Sequence, residues 1–228
     1  INVGSSIYLL RNGGNLQFTT EVAPFPSGLP LFRSLALLDY DADGDRDLLL
    51  IPGSIFGAST GPLVLLRNDG GNYTNVSSML PAIRTGTTCA CGGDFDGDGY
   101  LDIALGRADD GLDMLWGGAS GFTAQVMVAS PGPTTSLTAV DYDGDGRTDL
   151  AWMQYGHVGP NTENRIGTLH SEPARTFRSV FHLDNAAGSA GIIDIDGDGI
   201  LDFLHSPRLS SDLCVRRRVG TWLEDAAF

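Results

Sequence analysis

One nine-residue pattern, Asp-x-Asp-x-Asp-Gly-x-x-Asp, occurs four times in the 228 residues of this chain. The copies run Asp39–Asp47, Asp94–Asp102, Asp141–Asp149 and Asp194–Asp202, and they begin 55, 47 and 53 residues apart. Self-similarity on a period near 50 predicts an array of equivalent supersecondary units, each burying its apolar face against its neighbours. Short apolar runs leave the copies at Leu48–Ile51, Ile103–Leu105, Leu150–Met153 and Phe203–Leu204. Others enter them at Leu35–Leu38, Cys89–Cys91, Leu137–Val140 and Ile192–Ile193. Runs this short read as buried strands, so each acidic loop joins two strands.

The residue types within a copy point to a hard cation. Calcium takes six to eight oxygen ligands, and a tight loop with carboxylates at alternate positions turns them to one side. Positions 1, 3, 5 and 9 are Asp39, Asp41, Asp43 and Asp47 in the first loop and Asp94, Asp96, Asp98 and Asp102 in the second. They are Asp141, Asp143, Asp145 and Asp149 in the third, and Asp194, Asp196, Asp198 and Asp202 in the fourth. Position 7 is Asp45, Tyr100, Arg147 and Ile200, four unrelated types, as expected of a ligand that acts through its backbone carbonyl. Position 6 is always glycine, the residue that tolerates positive φ in a sharp turn. An EF-hand would need Glu at position 12 and flanking helices. Position 12 here is Leu50, Leu105, Trp152 and His205. The expectation is four calcium ions, one per loop.

The charge follows from the loops. The chain carries 28 acids and 14 bases, a net −14. Seventeen of the acids lie in the four loops, and the other 11 face 14 bases, a small basic excess of 3. Nucleic-acid binding is disfavoured, because a phosphate backbone requires a basic stripe. No apolar run reaches the roughly 18–20 residues of a membrane helix, so no membrane insertion is expected. The sequence begins at Ile1 without Met, as expected of a processed product or a segment of a longer protein.

Between the loops a second unit recurs: an apolar strand, a Gly/Asn turn, and an aromatic entering the next strand. Leu9-Leu10-Arg11-Asn12-Gly13-Gly14-Asn15 with Phe18 matches Leu65-Leu66-Arg67-Asn68-Asp69-Gly70-Gly71-Asn72 with Tyr73. Such turns between apolar runs signal hairpins. Each repeat is therefore four strands, which is the blade of a β-propeller.

The segment Gly93-Asp94-Phe95-Asp96-Gly97-Asp98-Gly99-Tyr100-Leu101-Asp102-Ile103-Ala104 resembles the FG-GAP/VCBS repeat, which builds the propeller head of integrin α subunits and many surface proteins. The resemblance covers almost the whole chain. It implies an all-β propeller or propeller segment of about four to five blades, with calcium between the first two strands of each. The units would be an outer half-blade at 1–22 and repeats at 23–80, 81–130, 131–183 and 184–228. Residues 7–20 would need Ile7, Leu9 and Phe18 to pack on strands of a neighbouring chain or of parent sequence.

The remaining motifs have bland readings beside sharper ones. Cys89 and Cys91 lie on one face of a strand and read as small buried thiols; with Cys214 the count is odd, which leaves room for one inter-chain bond. Asn72-Tyr73-Thr74 and Asn75-Val76-Ser77 are glycosylation sequons on an outer hairpin. Arg216-Arg217-Arg218 reads as a solvated edge, or as a contact for an acidic partner. His157, His170, His182 and His205 are scattered and pair with no nucleophile. No catalytic residue emerges, and no enzyme is expected. The sequence reads as a secreted or cell-surface, calcium-stabilised scaffold for adhesion, assembly or recognition, with a protein or glycan partner. The alternatives are a glycan-binding lectin and the propeller part of a polysaccharide-degrading enzyme.

Overall fold

The computed structural model describes residues 2–3, 6–22, 24–53, 61–109, 111–127, 133–154, 165–184, 186–207, 214–219 and 222–225. Among them the fold is all-β. The one helical element is a single 3-10 turn at Ser77–Met79. Strands β1 (Asn2–Val3), β2 (Ser6–Gly14) and β3 (Gln17–Val22) form a small N-terminal sheet. Four four-stranded sheets follow. The first holds β4 (Phe32–Leu38), β5 (Asp47–Pro52), β6 (Val64–Asp69) and β7 (Asn72–Asn75). The second holds β8 (Thr87–Gly93), β9 (Asp102–Arg107), β10 (Leu112–Trp116) and β11 (Thr123–Met127). The third holds β12 (Thr134–Val140), β13 (Asp149–Gln154), β14 (Arg165–Glu172) and β15 (Thr176–Asp184). The fourth holds β16 (Ala186–Ile193), β17 (Asp202–Pro207), β18 (Cys214–Val219) and β19 (Trp222–Asp225). Each is an antiparallel meander in chain order, consistent with a propeller blade.

The second strands of the first three sheets, β5, β9 and β13, are buried along their whole length. A strand covered on both faces has no solvent side, so its sequence is a continuous apolar run. Successive sheets share cores. Leu38, Leu49 and Leu65 of the first sheet pack with Ile103, Leu105 and Leu115 of the second. Met114 and Trp116 of the second pack with Leu137, Leu150 and Trp152 of the third. Met153 and Ile166 of the third pack with Phe203 of the fourth.

The acidic loops take part in this packing through two residues that bind no cation. Position 2 leans toward the following sheet: Tyr40, Phe95 and Tyr142 join the three successive cores. Position 8 leans back: Leu101 joins the core shared with the first sheet, and Leu201 the one shared with the third. At the ends of the array these roles lack a cover. Ile195, the position-2 residue of the last loop, is 39% exposed, and Ile193 is 51% exposed. On the free side of β4, Leu35 is 44% and Leu37 60% exposed. Extended contacts between sheets among the described residues run only from each sheet to the next, so no ring closes within them.

The N-terminal hairpin stands apart from the four sheets. Its β2–β3 ladder carries a bulge between Asn12 and Gly14, and Phe18 is 57% exposed. Among the described residues no strand covers Phe18, and the side chain of Ile7 lies outside them.

Away from the acidic loops, Arg107 is fully buried between β9 and the chain entering β8. It donates to the Arg84 and Thr85 carbonyls and to Thr87 Oγ1, while Arg84 grips the buried Asp113 with its own guanidinium at 2.8 Å. Both cations share Asp113, with Arg107 Nε at 3.6 Å. That carboxylate offsets part of the desolvation cost of a buried guanidinium.

Phe95 is 2% exposed and touches Phe177 of the next sheet, whereas Ile195 is its half-exposed counterpart. Phe95→Ala should therefore destabilise the chain by about 3–5 kcal/mol, and Ile195→Ala by about 1 kcal/mol or less. Urea unfolding of the two variants measures the difference; equal losses would contradict the packing roles given to position 2.

Candidate metal centre

Each acidic loop is a tight turn closed on its own carboxylates. The position-1 aspartate accepts backbone N–H groups from the far side of the turn: Asp94 takes Gly97 and Asp98 on Oδ1 at 2.8 and 3.1 Å, and Gly99 on Oδ2 at 3.0 Å. Asp194 repeats this with Gly197, Asp198 and Gly199. Asp39 and Asp141 also accept the position-6 glycine amide, from Gly44 and Gly146. The position-5 carboxylate accepts the position-7 amide in all four loops. These bonds hold the carboxylates inward at fixed spacing, which is preorganisation for a cation.

Position 4 is glycine at φ +78 in the last three loops, but Ala42 in the first, at φ 59. An L-residue with a Cβ pays for that left-handed conformation, by about 1–2 kcal/mol.

Position 9 differs from the rest. Asp47, Asp102, Asp149 and Asp202 are 0–3% exposed. In every loop one oxygen accepts the amide of position 2: Tyr40, Phe95, Tyr142 or Ile195. In the first three the other oxygen accepts an amide at the end of the third strand: Asn68 at 2.8 Å, Gly117 at 2.7 Å and Ser171 at 2.8 Å. The carboxylate thus staples loop, second strand and hairpin together. Gly117 is required there by close approach, since a Cβ would sit 2.2 Å from the Leu101 carbonyl oxygen. Burial pushes the Asp102 carboxyl up to about 6 against its two amide bonds, with Asp96 and Asp98 adding repulsion. Burial likewise raises Asp47 and Asp149 above the ordinary range.

The ligand-type side chains converge in all four copies. Oxygens of Asp39, Asp41 and Asp43 lie within 4.8 Å of one another, as do those of Asp94, Asp96 and Asp102, of Asp141, Asp143 and Asp145, and of Asp194, Asp196 and Asp202. An all-oxygen donor set suits calcium or magnesium. Side chains at position 7 take no common place: the Asp45 carboxylate accepts the Gly70 amide at 2.7 Å, and Tyr100 is 46% exposed.

Two partners of the loops were not foreseen from sequence. Arg175, in the β14–β15 turn, reaches across to the second loop, with Nε 2.7 Å from Asp96 Oδ2 and its guanidinium over the Trp116 ring at 5.1 Å. His170, on β14, faces the third loop with Nδ1 2.8 Å from Asp143 Oδ2. Both come from hairpins distant in sequence, so no local motif carries them. The weaker motifs resolve variously. Cys89 and Cys91 are free thiols, with Cys89 buried and pushed up to about 11 by that burial. Asn72 and Asn75 are exposed on β7. Arg216 and Arg217 stand in register with Asp225 and Glu224 on β19. The side chains of Cys214, His182, His205 and the Arg216–Arg218 run, and His157 altogether, lie outside the described residues.

Four four-stranded sheets, each with a carboxylate loop between its first two strands, are consistent with the blades of a propeller. Residues 94–152 match the FG-GAP-like repeat family. It is 26% identical over 173 residues to Cartilage acidic protein 1 of Xenopus tropicalis, across 68% of this chain and 27% of that protein. It is 27% identical over 132 residues to human Integrin alpha-7, across 54% of this chain and 11% of that protein. The chain thus spans only a minor part of the length of either relative. Among the described residues, no helix is long and apolar enough to cross a membrane.

Two outcomes test the local energetics. Ala42→Gly should stabilise the chain by about 1 kcal/mol, read as a raised urea midpoint at unchanged slope. In chelator, the raised carboxyl of Asp102 binds its proton more tightly in the folded chain than in the unfolded one. Its contribution is therefore largest at low pH and is lost as pH rises through about 6. Tm without divalent ions should fall between about pH 4 and 7, and Asp102→Asn should flatten that fall.

Proposed function

We propose that the chain is a calcium-stabilised extracellular β-propeller scaffold that serves adhesion or recognition at a cell surface or in a secreted matrix. The observation that carries this reading is the convergence of carboxylate oxygens in all four loops. The family match and the two relatives, an integrin alpha chain and a cartilage protein, support the extracellular setting. In this reading positions 1, 3, 5 and 9 of each loop hold one calcium ion through side chains, and Asp45, Tyr100, Arg147 and Ile200 add backbone carbonyls. The four repeats are blades, of which residues 1–22 begin another, and the bound ion relieves the repulsion among the buried and half-buried carboxylates. The role is non-catalytic: the loops spend their carboxylates on the cation.

A groove between the first two loops offers a surface for a partner. Its volume is about 300 Å³, and Tyr40, Met79, Tyr100 and Phe122 line it beside Asp39 and Asp41. Aromatic faces beside carboxylates suit a protein side chain or a sugar ring. A glycan array separates the lectin reading from protein adhesion.

Calcium titration of chelated protein by calorimetry should give four ions per chain and a higher Tm. Asp98→Ala should remove one ion and leave three, because repeats couple chiefly to neighbours. A Tm indifferent to calcium and chelator would overturn the reading.

A further inference from the structure

The four loops are alike in their own residues but not in what stands beside them. The register of the second and third strands places one residue opposite each position-9 aspartate: Arg67, Trp116, His170 and, in the fourth sheet, Arg217. Only one of these types is a metal ligand. Arg67 turns to Asp69 at 2.9 Å, and Trp116 stacks beneath Arg175. His170 turns into the third loop. It is 6% exposed, and its Nδ1 lies 2.8 Å from Asp143 Oδ2 and 3.5 Å from Asp149 Oδ2. Asp143, Asp149 and His170 offer ligand atoms that all lie within 4.8 Å of one another, and no other such group among the described residues includes a nitrogen.

The far side of the ring is also arranged for ligation. His170 Nε2 is 2.9 Å from Thr168 Oγ1, and the Tyr142 ring meets the imidazole edge-on at 5.8 Å. A ligating histidine generally gives its second ring N–H to a nearby acceptor, which fixes the tautomer and leaves the other nitrogen's lone pair for the metal. In the tautomer that donates Nε2–H to Thr168, Nδ1 would present that lone pair to a cation in the loop, and without a cation Nδ1–H can instead donate to Asp143. Arg178, 3.8 Å from Asp143 Oδ2 and largely exposed, is the nearby cation.

We propose that the third loop is a mixed nitrogen–oxygen site, in which His170 Nδ1 joins the carboxylates of Asp143 and Asp149, and that, offered both ions, it takes a divalent first-row transition ion in place of the calcium it otherwise holds. Imidazole suits such ions, and calcium and magnesium prefer oxygen throughout. The inference rests on the loops being cation sites, which calcium titration tests separately.

Cu2+ is the probe, added to the chelated chain and followed by electron paramagnetic resonance. One Cu2+ per chain should bind in the presence of excess calcium, and its spectrum should show superhyperfine splitting from a directly coordinated 14N. His170→Gln should abolish that splitting and weaken that one site by about tenfold or more, while calcium still fills the other three loops. Retention of three calcium ions shows that the variant is folded. Asp198→Ala, which changes the fourth loop, should keep the nitrogen signal. If Cu2+ shows no nitrogen splitting, or if His170→Gln leaves Cu2+ affinity unchanged, His170 and Asp143 are a buried histidine–carboxylate pair and the mixed site is wrong. If neither ion binds any loop, the proposed function fails with it.

Discussion

The buried aspartate at position 9 is the constraint on which each repeat depends. Its two oxygens accept amides from two places that sequence separates: position 2 of the loop, seven residues back, and the end of the third strand, up to 22 residues ahead. An ionised carboxylate at 0–3% exposure is costly unless it is bonded. Backbone amides meet that need in part, and they also fix where the hairpin returns against the loop. The raised carboxyl of Asp102 shows that the amides do not meet it fully. A cation bound beside the group would complete the compensation and so couple metal binding to folding at one side chain.

From that staple the sheet-to-sheet order follows. Position 2 is held by its amide with its side chain toward the next sheet, and position 8 lies on the side of the previous one. Tyr40 and Leu101 meet in one core, and Tyr142 and Leu201 in another. Each loop is therefore both a candidate cation site and a packing joint. The same geometry explains the apolar ends of the array. Ile195 and Leu37 are exposed, whereas Phe95 and Tyr142, the counterparts of Ile195 inside the array, are buried.

The loops share a motif yet differ in surroundings. The second is bridged by Arg175 from the following repeat, and the third is faced by His170 from its own hairpin. The first carries a strained Ala42 and an Asp45 side chain committed to the Gly70 amide. The four loops thus differ in residues that the motif does not contain.

The sequence by itself determined the repeat, the strand-loop-strand reading of each acidic segment, the buried second strands and the carboxylate donors. These are local or periodic properties: alternate carboxylates around a turn, a glycine where φ is positive, an apolar run where both faces are covered. The N-terminal hairpin was legible as Leu9–Phe18, because its turn and apolar pattern repeat those of Leu65–Tyr73. Tertiary structure alone decided the double role of position 9. A motif shows that aspartate faces the loop and says nothing of the Asn68, Gly117 or Ser171 amide that meets it from behind. It alone decided the placement of His170, one of four scattered histidines in the sequence, and of Arg175, which lies 79 residues from Asp96. It also revealed the buried Arg107 held over Asp113. Register and sheet packing bring such pairs together, and neither is encoded in a window short enough to read as a motif.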